Sequence, residues 1–226
     1  MTPIPKKTLE LRRQRVEKIF PILKQTYPNA KCSLDHSSPL ELLVATILSA
    51  QCTDDRVNIV TKSLFKKYRS AADYARVPQE ELEKDIQSTG FYRNKAKSIR
   101  AMAQSLLDLH GGVVPDTMET LIELAGVGRK TANVVLGNAF GKNIGVTVDT
   151  HVTRLSNRLG LTRHPSDAVK IEQDLIPIIP QADWTLWSHL LIYHGRAVCK
   201  AINPKCEQCP LLPHCPHGQI LMKSRE

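Results

Sequence analysis

The sequence predicts an all-α fold, and the spacing of the apolar residues carries this prediction. Apolar side chains recur at helical intervals along most of the 226 residues, which is typical of helices that bury one face. Hydrophobic residues make up 42% of the chain and charged residues 23%, so a packed core is expected and disorder is not. Only 144–148 resembles a strand, and this segment is too short to found a sheet.

The helices follow one another along the chain and are separated by glycine and proline turn signals. The first, over 8–26, carries an apolar stripe with basic residues between the apolar ones. The second, over 39–50, is mostly apolar, so we expect it at the centre of a core. The others are predicted over 54–68, 79–87, 93–109, 117–124, 129–139, 150–159, 165–176 and 182–196.

The net charge of +9 favours a polyanionic partner such as nucleic acid. The alternatives are an anionic membrane surface or charge that serves solubility alone. The longest near-continuous apolar stretch, over 40–48, is far shorter than the ~20 residues of a membrane span. The basic N-terminus is followed by no apolar run, so no secretory signal is expected. We therefore expect an intracellular protein with no membrane partner.

Four of the six cysteines lie close together near the C-terminus, spaced Cys-x6-Cys-x2-Cys-x5-Cys. Four thiolates can hold one [4Fe-4S] cluster. The alternative is zinc, whose structural sites more often use two close cysteine pairs. Four prolines interleave with these cysteines, so the region is predicted to be a loop held by its ligands. The candidate ligands are Cys199, Cys206, Cys209 and Cys215.

A glycine turn over 124–132 joins two of the predicted helices. Gly126 and Gly128 can both take positive φ, and the second helix then begins near Arg129 with its backbone N–H groups directed outward. Such a helix start binds a phosphate through the main chain. The Walker A pattern fails because Arg129 separates Gly128 from Lys130, and a dinucleotide fingerprint lacks its third glycine and its strand. The alternative is an ordinary corner between two helices.

This turn resembles the helix-hairpin-helix of DNA glycosylases, and together with the cysteine spacing it makes the chain similar to the endonuclease III family. The resemblance covers nearly the whole chain and implies a two-lobed helix-hairpin-helix DNA glycosylase fold with a C-terminal iron–sulfur cluster loop. It implies a central six-helix domain over 32–141 and a second helical domain over 1–31 plus 142–226 that carries the cluster. The matching motifs are Leu48-Ser49-Ala50-Gln51, the hairpin with Lys130, Val148-Asp149-Thr150-His151, His194-Gly195-Arg196 and the four cysteines.

The family resemblance implies a bifunctional enzyme that removes oxidised pyrimidines from damaged double-stranded DNA and then cleaves the strand by β-elimination. The target base must first be rotated out of the duplex. Lys130 matches the lysine that attacks C1′ and forms a Schiff base, which a serine or a water could not form. An ordinary lysine is protonated at neutral pH, and a helix start changes this too little. We expect enclosure by bound DNA to neutralise the Lys130 amine.

The resemblance also assigns a second catalytic residue and a set of DNA contacts. Asp149 matches a catalytic aspartate that aids proton transfer or stabilises the developing positive sugar, and a helix N-cap is its compatible alternative. Gln51 is expected to fill the gap left by the rotated base, and Phe91 stands where the family usually carries leucine as a wedge. Their alternatives are an exposed helix end for Gln51 and a core position for Phe91.

Further DNA contacts are expected from the hairpin and from the cysteine region. The hairpin contacts would come from the phosphate site at the helix start. The alternative for the two lysines among the cysteines is solvated charge. The predicted residues are Gly126, Gly128, Arg129, Lys200 and Lys205.

Three other functions are weighed against this one. The adenine-removing branch lacks the hairpin lysine, has a catalytic glutamate in the helix that carries the glutamine, and has an extra domain after the cysteines. This chain has Lys130, and its segment 42–51 contains no carboxylate. The mismatch or alkylation branch is disfavoured by Lys130. A non-catalytic DNA-binding or redox-sensing module would need neither Lys130 nor Asp149. We therefore expect a monomeric, nucleoid-associated enzyme of the cytoplasm.

Overall fold

The computed structural model describes residues 5–224 and divides the chain into two compact units. One unit comprises Met1–Lys31 with Asn143–Glu226, and the other comprises Cys32–Lys142. Each regular element within 5–224 is an α-helix or a short 3₁₀ turn, which confirms the all-α prediction. The first residues of the basic N-terminal segment, 1–4, lie outside the described residues.

Twelve α-helices are found in the described part of the chain. In order they are α1 Lys6–Thr26, α2 Pro39–Leu48, α3 Asp54–Lys67, α4 Ala71–Arg76, α5 Gln79–Ile86, α6 Tyr92–His110, α7 Met118–Glu123, α8 Arg129–Ala139, α9 Thr150–Arg158, α10 Ala168–Leu175, α11 Trp184–Ala197 and α12 Pro216–Lys223. None of the described helices is both long and apolar enough to cross a membrane.

Helix α2 lies in the core of the Cys32–Lys142 unit and packs against α3, α6 and α8. Its sequence explains both its start and its burial. Ser38 caps it by accepting a hydrogen bond from the Glu41 N–H, and Pro39 occupies a first-turn position where its missing N–H costs nothing. The helix buries 42–45 and Leu48 in the core, so its C-terminal end is fixed by packing.

Two short helices were not expected from the periodicity. Helix α4 has six residues, too few for a clear apolar repeat, and it is specified instead by a capping box between Ser70 and Asp73 and by the buried Tyr74. With α4, seven α-helices lie in the Cys32–Lys142 unit, against six in the sequence prediction. Helix α12 begins directly after the last cysteine because Pro216 takes the first helical position, where proline is favoured.

The segment expected to resemble a strand, 144–148, is not a strand. A strand needs a neighbouring strand to pair its backbone groups, and none is present within residues 5–224. Val146 and Val148 are buried in the core of the unit formed by Met1–Lys31 and Asn143–Glu226. Thr147 between them is buried too, and Ile144 is 43% exposed, so burial in this irregular segment does not follow the alternating apolar pattern.

The core of this second unit ties α1 to the C-terminal helices. Phe20 of α1 packs against the fully buried Trp187 of α11, with ring centroids 5.7 Å apart. Arg12 and Asp174 form a buried ion pair between α1 and α10 at 3.3 Å, and the Thr162 hydroxyl donates to the same carboxylate at 2.8 Å. A buried carboxylate needs such partners to offset its lost hydration.

Gly195 of α11 lies at the contact with α9, where a side chain would not fit. A Cβ atom placed on Gly195 would lie 2.7 Å from His151 Nδ1 and 3.0 Å from Arg154 Nη2. The Gly195 carbonyl also accepts a hydrogen bond from Arg154 at 3.1 Å. The His194-Gly195-Arg196 motif therefore includes a glycine that the packing of two helices requires.

We expect Gly195→Ala to lower the free energy of unfolding by about 1–3 kcal/mol, because overpacking outweighs the roughly 1 kcal/mol gained in helix propensity. The matched variant is Gly128→Ala, whose added methyl meets no atom within 4 Å. It should cost about 0.5 kcal/mol as a poorer N-cap. Urea unfolding of both variants measures the difference. Equal stability of the two variants would show that the α9–α11 contact tolerates a methyl group.

Candidate functional site

The predicted hairpin is present between α7 and α8. The chain leaves α7 at Glu123 and turns so that the Val127 N–H donates to the Leu124 carbonyl at 3.0 Å. Gly126 has φ +75°, a conformation that favours glycine. Gly128 has φ −94°, so the expectation of positive φ at Gly128 is wrong. Gly128 is instead the N-cap residue of α8 and has an extended backbone conformation. A Cβ atom placed on it would meet no atom within 4 Å.

The start of α8 has the features of an anion site. No side chain caps this helix, so its first amides are not satisfied in the way those of α2 are. The positive end of the helix dipole adds to these amides. Lys130 lies in the first turn and is exposed, as is Arg129. The hairpin therefore combines main-chain donors with an accessible primary amine.

Asp149 is the N-cap of α9. Its Oδ1 accepts a hydrogen bond from the Val152 N–H at 2.8 Å, and the residue is half-buried. Helix α9 is in turn held by Arg154, whose Nε donates to the Cys199 carbonyl at 3.1 Å. The capping role considered for Asp149 is thus observed, and one carboxylate oxygen is engaged by the main chain.

Gln51 follows the C-terminal end of α2 in a left-handed conformation. Its φ is +52°, uncommon for a residue other than glycine, and its side chain is exposed. The turn that contains Gln51 is closed by the Cys52 N–H, which donates to the Ser49 carbonyl at 3.2 Å. Such a conformation costs of order 1–3 kcal/mol and persists only where the surroundings enforce it.

Phe91 is the N-cap of α6 and is also left-handed, with φ +46°. The side chain is 64% exposed, so the core position considered as its alternative is excluded. Gly90 before it has φ +70°, and the pair forms a tight entry into the helix. A large exposed aromatic ring on a strained turn is a costly arrangement that points to function.

Lys95, which the sequence analysis did not identify, lies beneath both of these turns. Its Nζ donates to the carbonyls of Leu48 and Thr89, each at 2.8 Å, and only 5% of the residue is exposed. Burial lowers the pKa of this amine. One sequence signal was available: Lys95 falls on the buried stripe of α6 with Ile99 and Met102.

The four clustered cysteines line one cavity, and none of them forms a disulfide. Within residues 5–224 no three His, Cys, Asp or Glu side chains converge as ligands of one metal ion. Thiols spaced around a shared cavity fit a [4Fe-4S] cluster, whose iron atoms occupy separate corners, better than a single tetrahedral zinc. Burial, together with the charge of the other three thiols, raises the pKa of Cys209 to about 11. Bound metal would reverse this, since metal-bound cysteine is a thiolate.

Two side chains of the same unit contact the cysteine sulfurs. Arg158 Nη1 donates to Cys199 Sγ at 3.3 Å, and the same guanidinium donates to the Lys200 carbonyl at 2.7 Å. His194 Nε2 lies 3.4 Å from Cys209 Sγ, and its Nδ1 lies 3.0 Å from the Tyr27 hydroxyl. His194 enters the sequence prediction only as part of the His194-Gly195-Arg196 motif, with no chemistry assigned to it.

The loop between the first two cysteines is exposed. Lys200 and Lys205 both lie on it and are solvent-accessible, while the backbone of the loop is held by Arg158. At its tip Asn203 is left-handed and Ile202 is 81% exposed. The structure thus presents both predicted lysines on a braced loop beside the four cysteines.

Comparison with family models gives two matches. Residues 44–181 match the HhH-GPD superfamily base excision DNA repair protein. Residues 199–215 match the iron-sulfur binding domain of endonuclease III. The second match covers the segment from the first to the last of the four clustered cysteines.

Individual proteins are similar over nearly the whole chain. Endonuclease III of Synechocystis sp. is 54% identical over 208 residues, 92% of this chain and 94% of that protein. Endonuclease III of Bacillus subtilis is 50% identical over 193 residues, 85% of this chain and 88% of that protein. A solved structure of a trapped endonuclease III–DNA covalent intermediate superposes with a TM-score of 0.89 at 47% identity, over 93% of this chain and 98% of that one.

We expect Cys206→Ser to abolish iron binding and the visible blue absorbance of the purified protein, because a buried ligand is lost. Cys52→Ser is the matched variant, since Cys52 belongs to the Cys32–Lys142 unit and the four clustered cysteines belong to the other unit. It should retain both signals. Metal analysis and absorbance on each variant measure the result, and zinc in place of iron in the unmodified chain would contradict the cluster.

Proposed function

The chain belongs to the endonuclease III family within the HhH-GPD superfamily of base excision repair proteins, and from this premise we propose how its residues excise a damaged base. The enzyme is a DNA glycosylase and abasic-site lyase. Its substrate is duplex DNA that carries an oxidised pyrimidine. The observation that carries the proposal is an accessible lysine, Lys130, in the first turn of a helix that no side chain caps.

Lys130 is the nucleophile. Its neutral amine attacks C1′, the bond from C1′ to the base breaks, and the base leaves with the electron pair. Opening of the sugar ring converts the adduct into an imine between Nζ and C1′. Loss of a proton from C2′ then expels the 3′ phosphate and cleaves the strand. Because Lys130 is exposed in the free protein, enclosure by DNA would supply the desolvation that favours the neutral amine.

The resemblance supplies the proposed role of Asp149, and its placement is compatible with that role. One oxygen of the carboxylate is fixed by the Val152 N–H at 2.8 Å, which orients the group. The other is available to take and return protons during ring opening and elimination. A half-buried carboxylate also stabilises positive charge that develops on the sugar.

The remaining residues bind the DNA. A phosphate would sit at the start of α8, over the amides that follow Gly128. Gln51 and Phe91 project from strained turns and would enter the base stack, which supports their assignment to gap filling and wedging. Lys200 and Lys205 on the exposed loop would meet phosphates and position the duplex.

The cluster ligands are Cys199, Cys206, Cys209 and Cys215, and the cluster serves to order the loop that carries the two lysines. When bound, it supplies four metal–thiolate bonds where the chain has little hydrophobic core of its own. Arg158 and His194 would orient the sulfurs of Cys199 and Cys209. We place the enzyme with the nucleoid in the cytoplasm, acting as a monomer on DNA and without a membrane partner.

Lys130→Gln should abolish the covalent adduct that borohydride traps on a duplex with one thymine glycol, because an amide forms no imine. Lys62→Gln, an exposed lysine on α3, is the matched variant and should trap adduct as the unmodified enzyme does. Denaturing gel electrophoresis and mass spectrometry locate the bound sugar. An adduct that persists in Lys130→Gln would assign the nucleophile to another residue.

Asp149→Asn should lower the turnover rate about 10²–10⁴-fold, as expected for loss of a proton-transfer group, while lesion affinity stays within about threefold. Asparagine caps helices as well as aspartate does, so α9 is retained. Asp167→Asn is the control, because Asp167 caps α10 by accepting from the Lys170 N–H. Single-turnover kinetics and binding titrations measure both quantities. Loss of affinity together with rate would leave Asp149 only its capping role.

A further inference from the structure

A single buried ammonium group joins two segments of the Cys32–Lys142 unit that are remote in sequence. Lys95 Nζ donates to the carbonyl of Leu48, 47 residues away, and to the carbonyl of Thr89, 6 residues away, with both distances 2.8 Å. The Lys95 main-chain N–H also donates to the Phe91 carbonyl at 3.1 Å. The side-chain and main-chain nitrogens of Lys95 thus donate hydrogen bonds to three carbonyl groups.

These carbonyls stand at the bases of the two strained turns. Leu48 is the last residue of α2, and Gln51 follows three positions later with φ +52°. Thr89 closes the 3₁₀ turn before Gly90, and Phe91 follows two positions later with φ +46°. We call the segments 49–53 and 87–91 the two insertion turns. Each carries an exposed side chain, Gln51 or Phe91, on a strained backbone conformation.

Electrostatics explains why a lysine occupies this place. The last carbonyls of a helix lack intrahelical donors, and a cation near them is favoured by the helix dipole. Hydrogen bonds from an ionised donor are roughly twice as strong as neutral ones. Burying an ammonium group is costly unless it is well bonded, so Lys95 stays where it is only while both carbonyls accept from it. The two turns are consequently fixed relative to each other.

We propose that Lys95 is a positioning residue that sets the two insertion turns in one geometry, so that Gln51 and Phe91 enter the base stack together. This inference rests on the proposed function of those two side chains. Lys95 does not contact the DNA in this arrangement. It acts through the backbone of the turns, and its loss would leave the chemistry of Lys130 intact while misplacing the groups that stabilise the rotated-base state.

The test compares Lys95→Met with Arg100→Met on the same helix. Arg100 is partly buried and donates to one carbonyl, that of Ala75 in α4, at 3.5 Å, so it supplies a matched loss of a cation that bonds to neither insertion turn. Each variant is assayed on a duplex with one thymine glycol and on a single-stranded oligonucleotide with one abasic site. Lys95→Gln, which keeps a neutral N–H donor group on a shorter side chain, replaces Lys95→Met if that variant does not fold.

We expect Lys95→Met to lower kcat/KM on the duplex about 10- to 100-fold, as misplacement by about 1 Å does elsewhere. The rate at which Lys95→Met cleaves the single-stranded abasic substrate should change less than threefold, because a single strand has no base stack to fill. Arg100→Met should change less than threefold on both substrates. Equal losses of Lys95→Met on both substrates would overturn the proposal.

A mutant cycle tests whether Lys95 acts through the turns. In a chain that already carries Gln51→Ala and Phe91→Ala, adding Lys95→Met should cost less than threefold on the duplex, because the groups it positions are gone. A full additional 10- to 100-fold loss would overturn the proposal, since Lys95 would then act by another route.

Hydrogen exchange separates this inference from the proposed function. In the free protein, Lys95→Met should speed amide exchange in 49–53 and 87–91 relative to Arg100→Met, with the other helices unchanged. Faster exchange in both turns together with an inactive unmodified enzyme would refute the proposed function and keep Lys95 as the link between the turns. Unchanged exchange would refute the link itself.

Discussion

Helix ends, where backbone N–H and C=O groups lack their intrahelical partners, hold the four side chains on which the proposed chemistry depends. Lys130 is in the first turn of α8, Asp149 caps α9, Phe91 occupies the N-cap position of α6, and Gln51 follows the last turn of α2. A packed helix holds its ends in place through the burial of its apolar face. The core of each unit therefore positions the ends of its own helices, although none of the four side chains lies in a core.

The ends differ in how their unsatisfied groups are treated, and the difference matches the proposed roles. At α9 the Asp149 carboxylate accepts a hydrogen bond from one first-turn amide, that of Val152, and is oriented by doing so. At α8 no side chain does this, which leaves main-chain donors for a phosphate. At α2 the carbonyl of Leu48 receives the Lys95 ammonium group. The unpaired backbone groups at these three helix ends are thus treated in three different ways, and each way fits a different proposed role.

The cysteine region meets a different constraint. Prolines and short turns between 199 and 215 exclude a regular helix, so the segment builds little core. Its four thiols surround a cavity, and Arg158 and His194 donate or lie close to two of the sulfurs. Metal–thiolate bonds would supply the ordering that burial cannot. Lys200 and Lys205 would then be presented to DNA on a fixed loop.

The sequence by itself determined the all-α fold, the bounds of the long helices to within a few residues and the cysteine set, because apolar period and ligand spacing are local. The resemblance added the roles proposed for Lys130 and Asp149, motifs that are also contiguous in the chain. Tertiary structure alone decided the extended conformation of Gly128, the exposure of Phe91 and the partners of Lys95. The physical reason is that a buried polar group must find a partner, and a partner 47 residues away leaves no local pattern to read.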